Sequence, residues 1–125
     1  MAEREALTTQ PGDDPEAIVR ISHTIIQQAI QDHASEIMVE PRAEDVTILF
    51  RRKGVIEEKM KLPAANRGPL IARYKQMADL DPDQQDQPQA GRVAISHAGR
   101  DYDLDARSEP APTGERIVIA IHEKT

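Results

Sequence analysis

The chain has 125 residues, a net charge of −6, three aromatic residues and no cysteine. Its length suits one domain with a modest core, and its acidity and few aromatic rings argue against nucleic acid or an anionic membrane as a partner. Without cysteine there are no disulfides or thiolate metal sites. The chain also lacks the apolar run of about 18 residues that a membrane span needs, so we expect a cytoplasmic protein with no direct membrane insertion.

The chain begins with a polar stretch followed by a helix. Residues 1–13 are predicted to be a disordered leader, because they offer little to bury. Asp13 and Asp14 precede Pro15, and an acidic cap followed by proline is a helix start signal. Apolar residues then recur at the 3.6-residue period, which predicts an amphipathic helix to about His33. This stripe contains Ile18, Ile21, Ile25 and Ala29.

Three strands are predicted next. The first covers residues 35–40 and ends at Pro41, which lacks the N–H that would continue a ladder. Alternating residues predict strands at 46–51 and 55–61, joined as a hairpin by a tight turn at Lys53-Gly54. In the third strand, the alternation predicts that Ile56 and Met60 share one face.

The second half of the chain repeats this order. Residues 63–78 predict a helix whose regular part starts near Pro69 and whose apolar stripe includes Leu70, Tyr74 and Met77. Residues 79–90 predict a polar loop. Strands follow at 92–96, 100–107 and 116–122, the last two separated by residues 109–114, and residues 123–125 are a short tail. The order helix, three strands, helix, three strands predicts a two-layer α+β domain over residues 14–122, with two main helices on one face of a largely antiparallel sheet of about six strands.

No local motif for catalysis is present in the sequence. It contains neither a Walker A loop nor G-x-G-x-x-G, and no two of its four histidines stand at metal-ligand spacing. Asp101, Asp103 and Asp105 alternate along one strand, a row that either binds a divalent cation or forms a solvated face. Because this row lacks the glycine and distal glutamate of an EF-hand loop, we expect no metal site and no enzyme activity.

Five short segments of the chain form an ordered series of motifs, and they begin at Ala34, Leu49, Leu70, Gln87 and Gly114. In this order and spacing they resemble the N-terminal, PAS-like domain of the ATPases that power type II secretion and type IV pilus assembly. In that family a segment A-S-D-[IL]-H-[IL]-E-P precedes a hairpin R-x-R-x-D-G-x-L, a helix L-I-x-R-[IL]-K-x-M-A-x-L-D, then R-x-P-Q-D-G-R and G-E-[KR]-x-V-x-R. The resemblance covers about residues 16–121.

The resemblance implies a PAS-like fold whose arginines help hold nucleotide phosphates on a neighbouring ATPase domain. Family arginines fall on five positions occupied here by other residues, and two motif aspartates fall on Lys53 and Ala90. The five positions are Leu49, Gln85, Asp86, Asp105 and Ala120. Arg51 and Arg92 remain, with Arg107 as a shifted substitute, so only weak residual phosphate contacts are expected. A charged hydrogen bond to phosphate is worth roughly 1.5–3 kcal/mol.

Three functions stay open at this point. The first is a stand-alone, non-catalytic domain without the Walker A ATPase domain or a cofactor, which contacts a secretion or pilus ATPase or its membrane platform protein. Its candidate contact surfaces are the loop 79–90 and the edge of strand 116–122. The second is a partner of a separate ATPase domain, in which Arg51 and Arg92 contact ATP in trans. The third is a PAS-like sensor that binds a small ligand in an apolar cavity.

Overall fold

The computed structural model describes residues 15–124. The predicted leader at 1–13 and Thr125 of the predicted tail lie outside these residues. The described elements are helices α1 (Pro15–Gln31) and α2 (Arg67–Met77), a 3-10 turn (Ala64–Asn66), and strands β1 (Glu36–Pro41), β2 (Asp45–Arg52), β3 (Val55–Pro63), β4 (Gln89–His97), β5 (Arg100–Ala111) and β6 (Gly114–Glu123). Neither helix is long and apolar enough to cross a membrane.

The six strands form one antiparallel sheet in the order β3-β2-β1-β6-β5-β4. Both helices pack on the same face, where alternate side chains of the strands are apolar and buried. The predicted α+β class, with an antiparallel sheet and two helices, is confirmed. The strand at the C-terminal end of the chain, β6, lies in the centre between β1 and β5. It therefore has no free edge, and the prediction that the edge of strand 116–122 is a contact surface was wrong.

The core lies between the helices and the inner face of the sheet. Apolar side chains come from every layer and are almost fully buried, which is the main favourable term in folding. The most deeply buried are Ile25, Leu70, Ile37, Val39, Ile48, Phe50, Leu104 and Ile117.

Two of the hairpins turn through two-residue loops with left-handed backbone. Lys53 and Gly54 have φ of 54° and 79°, and Ala98 and Gly99 have φ of 52° and 79°. Positive φ at both central residues matches the right-handed twist of the flanking strands. The turn predicted at Lys53-Gly54 is confirmed.

The third strand departs from simple alternation at a bulge. Met60 lies opposite Ile48, but Glu58 lies opposite Leu49, so Lys59 is an extra residue. A bulge reverses the facing of the side chains beyond it. Ile56 therefore pairs with Arg51 on the outer face, whereas Met60 packs against the core, and the prediction that they share a face was wrong.

The predicted connection at residues 109–114 is largely strand. β5 continues to Ala111 and β6 starts at Gly114, with Pro110 opposite Glu115. Proline is tolerated here because β4 begins only opposite Ser108. On the side of β5 away from β6, no strand therefore lies next to Pro110 to accept a hydrogen bond from a backbone N–H. Two prolines close together predicted a loop. Because β4 does not extend this far, however, a proline here breaks no hydrogen bond between strands.

Tyr74 joins the two helices, and its replacement by phenylalanine tests this contact. The buried Tyr74 hydroxyl donates a hydrogen bond of 2.9 Å to the backbone oxygen of Ser22. Tyr74→Phe removes this hydrogen bond between the helices, and we expect a loss of about 1 kcal/mol in the free energy of unfolding at neutral pH, measured by urea denaturation.

The same variant has a pH signature. Burial raises the pKa of Tyr74 well above its ordinary value of 10.0, against the opposing effect of the Arg73 charge. The unfolded chain then loses this proton near its ordinary pKa while the folded chain keeps it, so wild-type stability falls as pH rises past about 10. Phenylalanine has no such proton, and the gap between the two proteins should narrow there. A gap that stays constant with pH would contradict this assignment.

Candidate functional site

The three arginines singled out from the sequence lie on the outer face of the sheet, away from the helices. Arg51 on β2 follows the buried Phe50, and Arg107 on β5 follows the buried Ala106. Arg92 lies on β4 opposite Asp105. Because side chains alternate along a strand, all three point to the side that no described helix covers.

Arg51 and Arg92 stand at opposite ends of one cross-strand row. Arg51 pairs with Glu36, Glu36 with Ala120, Ala120 with Asp105, and Asp105 with Arg92. Four strand spacings separate the two arginines, or about 19 Å. They therefore do not converge on one phosphate group.

Each of these two arginines already has a carboxylate partner. Arg51 Nε donates to Glu36 Oε1 at 2.8 Å, and Arg92 Nε donates to Asp105 Oδ1 at 2.8 Å. The hydrogen bond from Arg92 holds the pKa of the Asp105 carboxyl below its usual range, with further help from the nearby His122. The same bond raises the pKa of Arg92. A phosphate would have to displace these carboxylates.

Arg107 differs from the other two. It lies opposite Ala90 on one side and Val118 on the other, so it is diagonal to Arg92. Its side chain is exposed, and within residues 15–124 it has no ion pair. Of the three predicted residues, it is the one without a carboxylate partner among the described residues.

The centre of the outer face is apolar and flanked by ion pairs. Met38 lies between Leu49 on β2 and Val118 on β6 in one cross-strand row. Arg107 lies opposite Val118 at the next position of this row. A further pair on this face joins Arg116 to Glu40. At the β2–β3 end of this face, Ile56 is 46% exposed. The face therefore presents apolar side chains between charges that neutralise each other.

The aspartate row lies on this face with its carboxylates in use. Asp105 contacts Arg92 and also lies 3.1 Å from His122 Nε2, and Asp103 lies 3.5 Å from Lys124 Nζ. Asp101 accepts a hydrogen bond from Ser96. No cluster of three or more His, Asp or Glu side chains within residues 15–124 is arranged to hold a metal ion.

A buried ion pair on the helix side was missed by the sequence analysis. Lys75 Nζ contacts both carboxylate oxygens of Glu115, at 2.9 and 2.8 Å, and donates to the backbone oxygen of Gln84 at 2.6 Å. The two side chains are 0% and 4% exposed. The sequence did contain a signal for this pair. Glu115, Ile117 and Ile119 occupy every second position of one strand and therefore share its face, so Glu115 had to face the core with the two isoleucines.

The polar loop after α2 is attached to the fold by side chains. Gln89 accepts from the backbone N–H of Asp81 and donates to the backbone oxygens of Asp81 and Gln84. Lys75 holds Gln84 from the other side. The arginine positions of the family in this loop, Gln85 and Asp86, are exposed. Hydrogen bonds therefore attach this loop to α2 and β4, and its exposed residues include the acidic Asp86.

Two open depressions lie at the surface of the helix side. One of about 160 Å³ lies between α1 and β4, and another of about 480 Å³ lies between the end of α1 and the β4–β5 hairpin. They share His97, and the first has an apolar floor formed by Ile26, Met77 and Ile95. Neither is a pocket inside the core of Ile25, Phe50 and Leu104.

Comparison with known proteins gives the family. A family model described as "Type II/IV secretion system protein" matches residues 12–125. "Type II secretion system protein E" of Pseudomonas aeruginosa is 33% identical over 122 residues, covering 98% of this chain and 24% of the relative. "Type IV pilus assembly ATPase PilB" of Myxococcus xanthus is 35% identical over 114 residues, covering 90% and 20%.

A third relative, "Type II secretion system ATPase E" of Vibrio cholerae, is 30% identical over 112 residues, covering 90% of this chain and 22% of the relative. The chain thus spans about a fifth to a quarter of the length of these relatives. The resemblance to the N-terminal domain of the secretion and pilus ATPases, inferred from the five motifs, is confirmed. The chain belongs to the type II/IV secretion system protein family.

Proposed function

We propose that this chain is a non-catalytic interaction domain that contacts a secretion or pilus ATPase, or the membrane platform protein of such a machine, in the cytoplasm. The interacting unit is residues 14–122, and the contact surface is the outer face of the sheet. The observation that carries this proposal is the pairing of three arginines of that face, Arg51, Arg92 and Arg116, with its own carboxylates.

The charges on the outer face favour a protein partner over a triphosphate. Glu36, Glu40 and Asp105 each contact an arginine, so the face is close to neutral where a phosphate site needs convergent cations. Exposed ion pairs contribute little to stability, but they fix the positions of polar groups around the apolar row. A polar rim around an apolar centre is typical of interfaces that form and dissociate.

Apolar exposure at one end of the face supports the same conclusion. Ile56 lies opposite Arg51 at the β2–β3 end of this face. It is one of the two large apolar residues that the described part of the chain leaves most exposed, with 46% of its surface accessible. An isolated exposed residue needs no explanation, but Ile56 adjoins the row containing Leu49 and Met38.

The nucleotide-contacting alternative has one observation in its favour. Arg107 is exposed and has no ion pair with any residue of the described part of the chain, so it is free to contact a phosphate on an ATPase domain supplied in trans. A single arginine gives at most one bidentate contact. This alternative is therefore an outcome of the experiment below.

The test is copurification from a host that carries a type II secretion or type IV pilus machine. Tagged wild-type chain is expected to retain a secretion or pilus ATPase or platform protein. Ile56→Asp should reduce the amount retained about tenfold, because it puts a charge into an apolar contact. Thr24→Asp adds the same charge to an exposed position on α1 and should not change retention.

ATP binding separates the alternatives. We expect no binding by the chain alone, and no loss of nucleotide affinity when Arg107→Ala replaces wild type in a mixture with the ATPase. An Arg107-dependent gain in ATP affinity would support the nucleotide role and overturn ours. Equal retention of partners by wild type and Ile56→Asp would place the contact on another surface.

A further inference from the structure

The two edges of the sheet are built differently. The β3 edge has a bulge at Lys59, ends at Pro63 and carries four charged residues, Glu57, Glu58, Lys59 and Lys61. Bulges, prolines and charges are the devices that prevent an edge strand from pairing with another chain. The β4 edge has nine residues in continuous register with β5 and one charged side chain, Arg92.

The hairpin geometry identifies the unpaired backbone groups of β4. In a two-residue hairpin the flanking residues exchange two hydrogen bonds, so His97 and Arg100 form such a pair. Alternation then directs the N–H and C=O of Ala90, Arg92, Ala94 and Ser96 away from β5. Within residues 15–124, no backbone hydrogen bond from a loop or turn reaches these groups.

Apolar side chains line the inner side of the same edge. Val93 and Ile95 are half-buried and pack at the margin of the core. Beside Ile95 lies the 160 Å³ depression floored by Ile26 and Met77. A strand added here would cover this margin if its inner side chains were apolar and its outer ones small or polar.

We propose that β4 pairs antiparallel with β4 of a second copy of this chain, about a two-fold axis at Ala94. Ala94 then faces Ala94 of the second copy, and Arg92 faces its Ser96, so the unpaired N–H and C=O groups on both strands meet. Val93 faces Ile95 of the second copy on the inner side, which extends the apolar margin across the interface. The two sheets become one continuous sheet.

The charges of β4 fit this register. Arg92, the charged residue on the strand, faces Ser96 of the second copy, whose hydroxyl donates to Asp101 at 2.6 Å. Arg92 therefore approaches an acidic carboxylate, and no like charges stand opposite each other. If the two-fold axis lay at Val93, Ile95 would stand opposite Gly91. Ile95 would then have no apolar side chain opposite it across the interface. This proposal is independent of the outer-face contact proposed above.

The test is the mass of the full chain as a function of concentration, measured by sedimentation equilibrium. Wild type is expected to show a monomer–dimer equilibrium. Ala94→Lys places two lysines opposite each other and should lower the association constant by about tenfold or more. Ala94→Glu should do the same, and an equimolar mixture of the two variants should dimerise again.

Two further variants control for folding and for charge alone. Ala94→Pro removes an outward N–H without touching the bonds to β5, so it should fold, by circular dichroism, and remain monomeric. Ile56→Lys on the opposite edge should dimerise like wild type. Wild type that stays monomeric at every concentration, or Ala94 variants that dimerise as wild type does, would overturn the proposal.

Discussion

Replacing Lys75 by methionine is expected to lower the free energy of unfolding by about 3–5 kcal/mol. The substitution leaves the Glu115 carboxylate 4% exposed without its cation, and the backbone oxygen of Gln84 loses its donor. Removing one partner of a buried pair is costly because the other charge stays out of water. Urea denaturation followed by circular dichroism measures the change.

The double variant isolates the cause. Lys75→Met combined with Glu115→Leu removes both charges and fills the space with apolar groups, and we expect it to recover most of the lost stability. Arg100→Gln breaks the exposed Arg100–Glu123 pair and should leave the denaturation midpoint nearly unchanged. If the double variant were as unstable as Lys75→Met, the loss would come from packing and not from the unpaired carboxylate.

Replacing Gly91 by alanine is expected to lower the free energy of unfolding by about 1–3 kcal/mol. A Cβ at this position would overlap the backbone oxygen of Ala78 and lie 3.0 Å from Leu80 Cδ2. The end of α2 crosses β4 here, and a backbone atom cannot rotate away as a side chain can. The expected result is a lower midpoint with the same overall fold.

Gly68 supplies the matched control. Apart from its chain neighbours, a Cβ there meets nothing within 4 Å, and Gly68 lies in the first turn of α2. Alanine has a higher helix propensity than glycine, but the ring of Pro69 disfavours helical backbone at a preceding residue that carries a Cβ, so Gly68→Ala should change stability by less than about 1 kcal/mol. If Gly91→Ala behaved like Gly68→Ala, the close approach of the helix end to β4 would be contradicted.

Local periodicity predicted the elements of this fold well. The stripe from Ile18 to Ala29 fixed α1, and alternation around Val46 and Leu104 fixed β2 and β5. These patterns are visible because each element buries one face. The left-handed turns were predictable too, since Gly54 and Gly99 each stand between two alternating segments.

Features that depend on distant pairing were not predictable in this way. Nothing in the segment Gly114–Glu123 indicates that it inserts between β1 and β5, because many strand orders bury the same residues. The bulge at Lys59 also depends on the opposing strand and reversed the predicted facing of Ile56. Arg51 and Arg92 lie four strand spacings apart and so do not reach one phosphate group. That distance follows from the strand order and cannot be read from their spacing in the sequence.

The central position of β6 has a consequence for how the protein is made. The β1–β3 and β4–β5 parts of the sheet make no contact through adjacent strands until β6 joins them, and its pairing with Val39 connects positions about 80 residues apart. Contacts between such distant residues form late and slowly. During translation, the two half-sheets therefore have unpaired edges until Ile117 and Ile119 have left the ribosome. A chaperone that binds unfolded chains could bind these exposed edges before β6 is available.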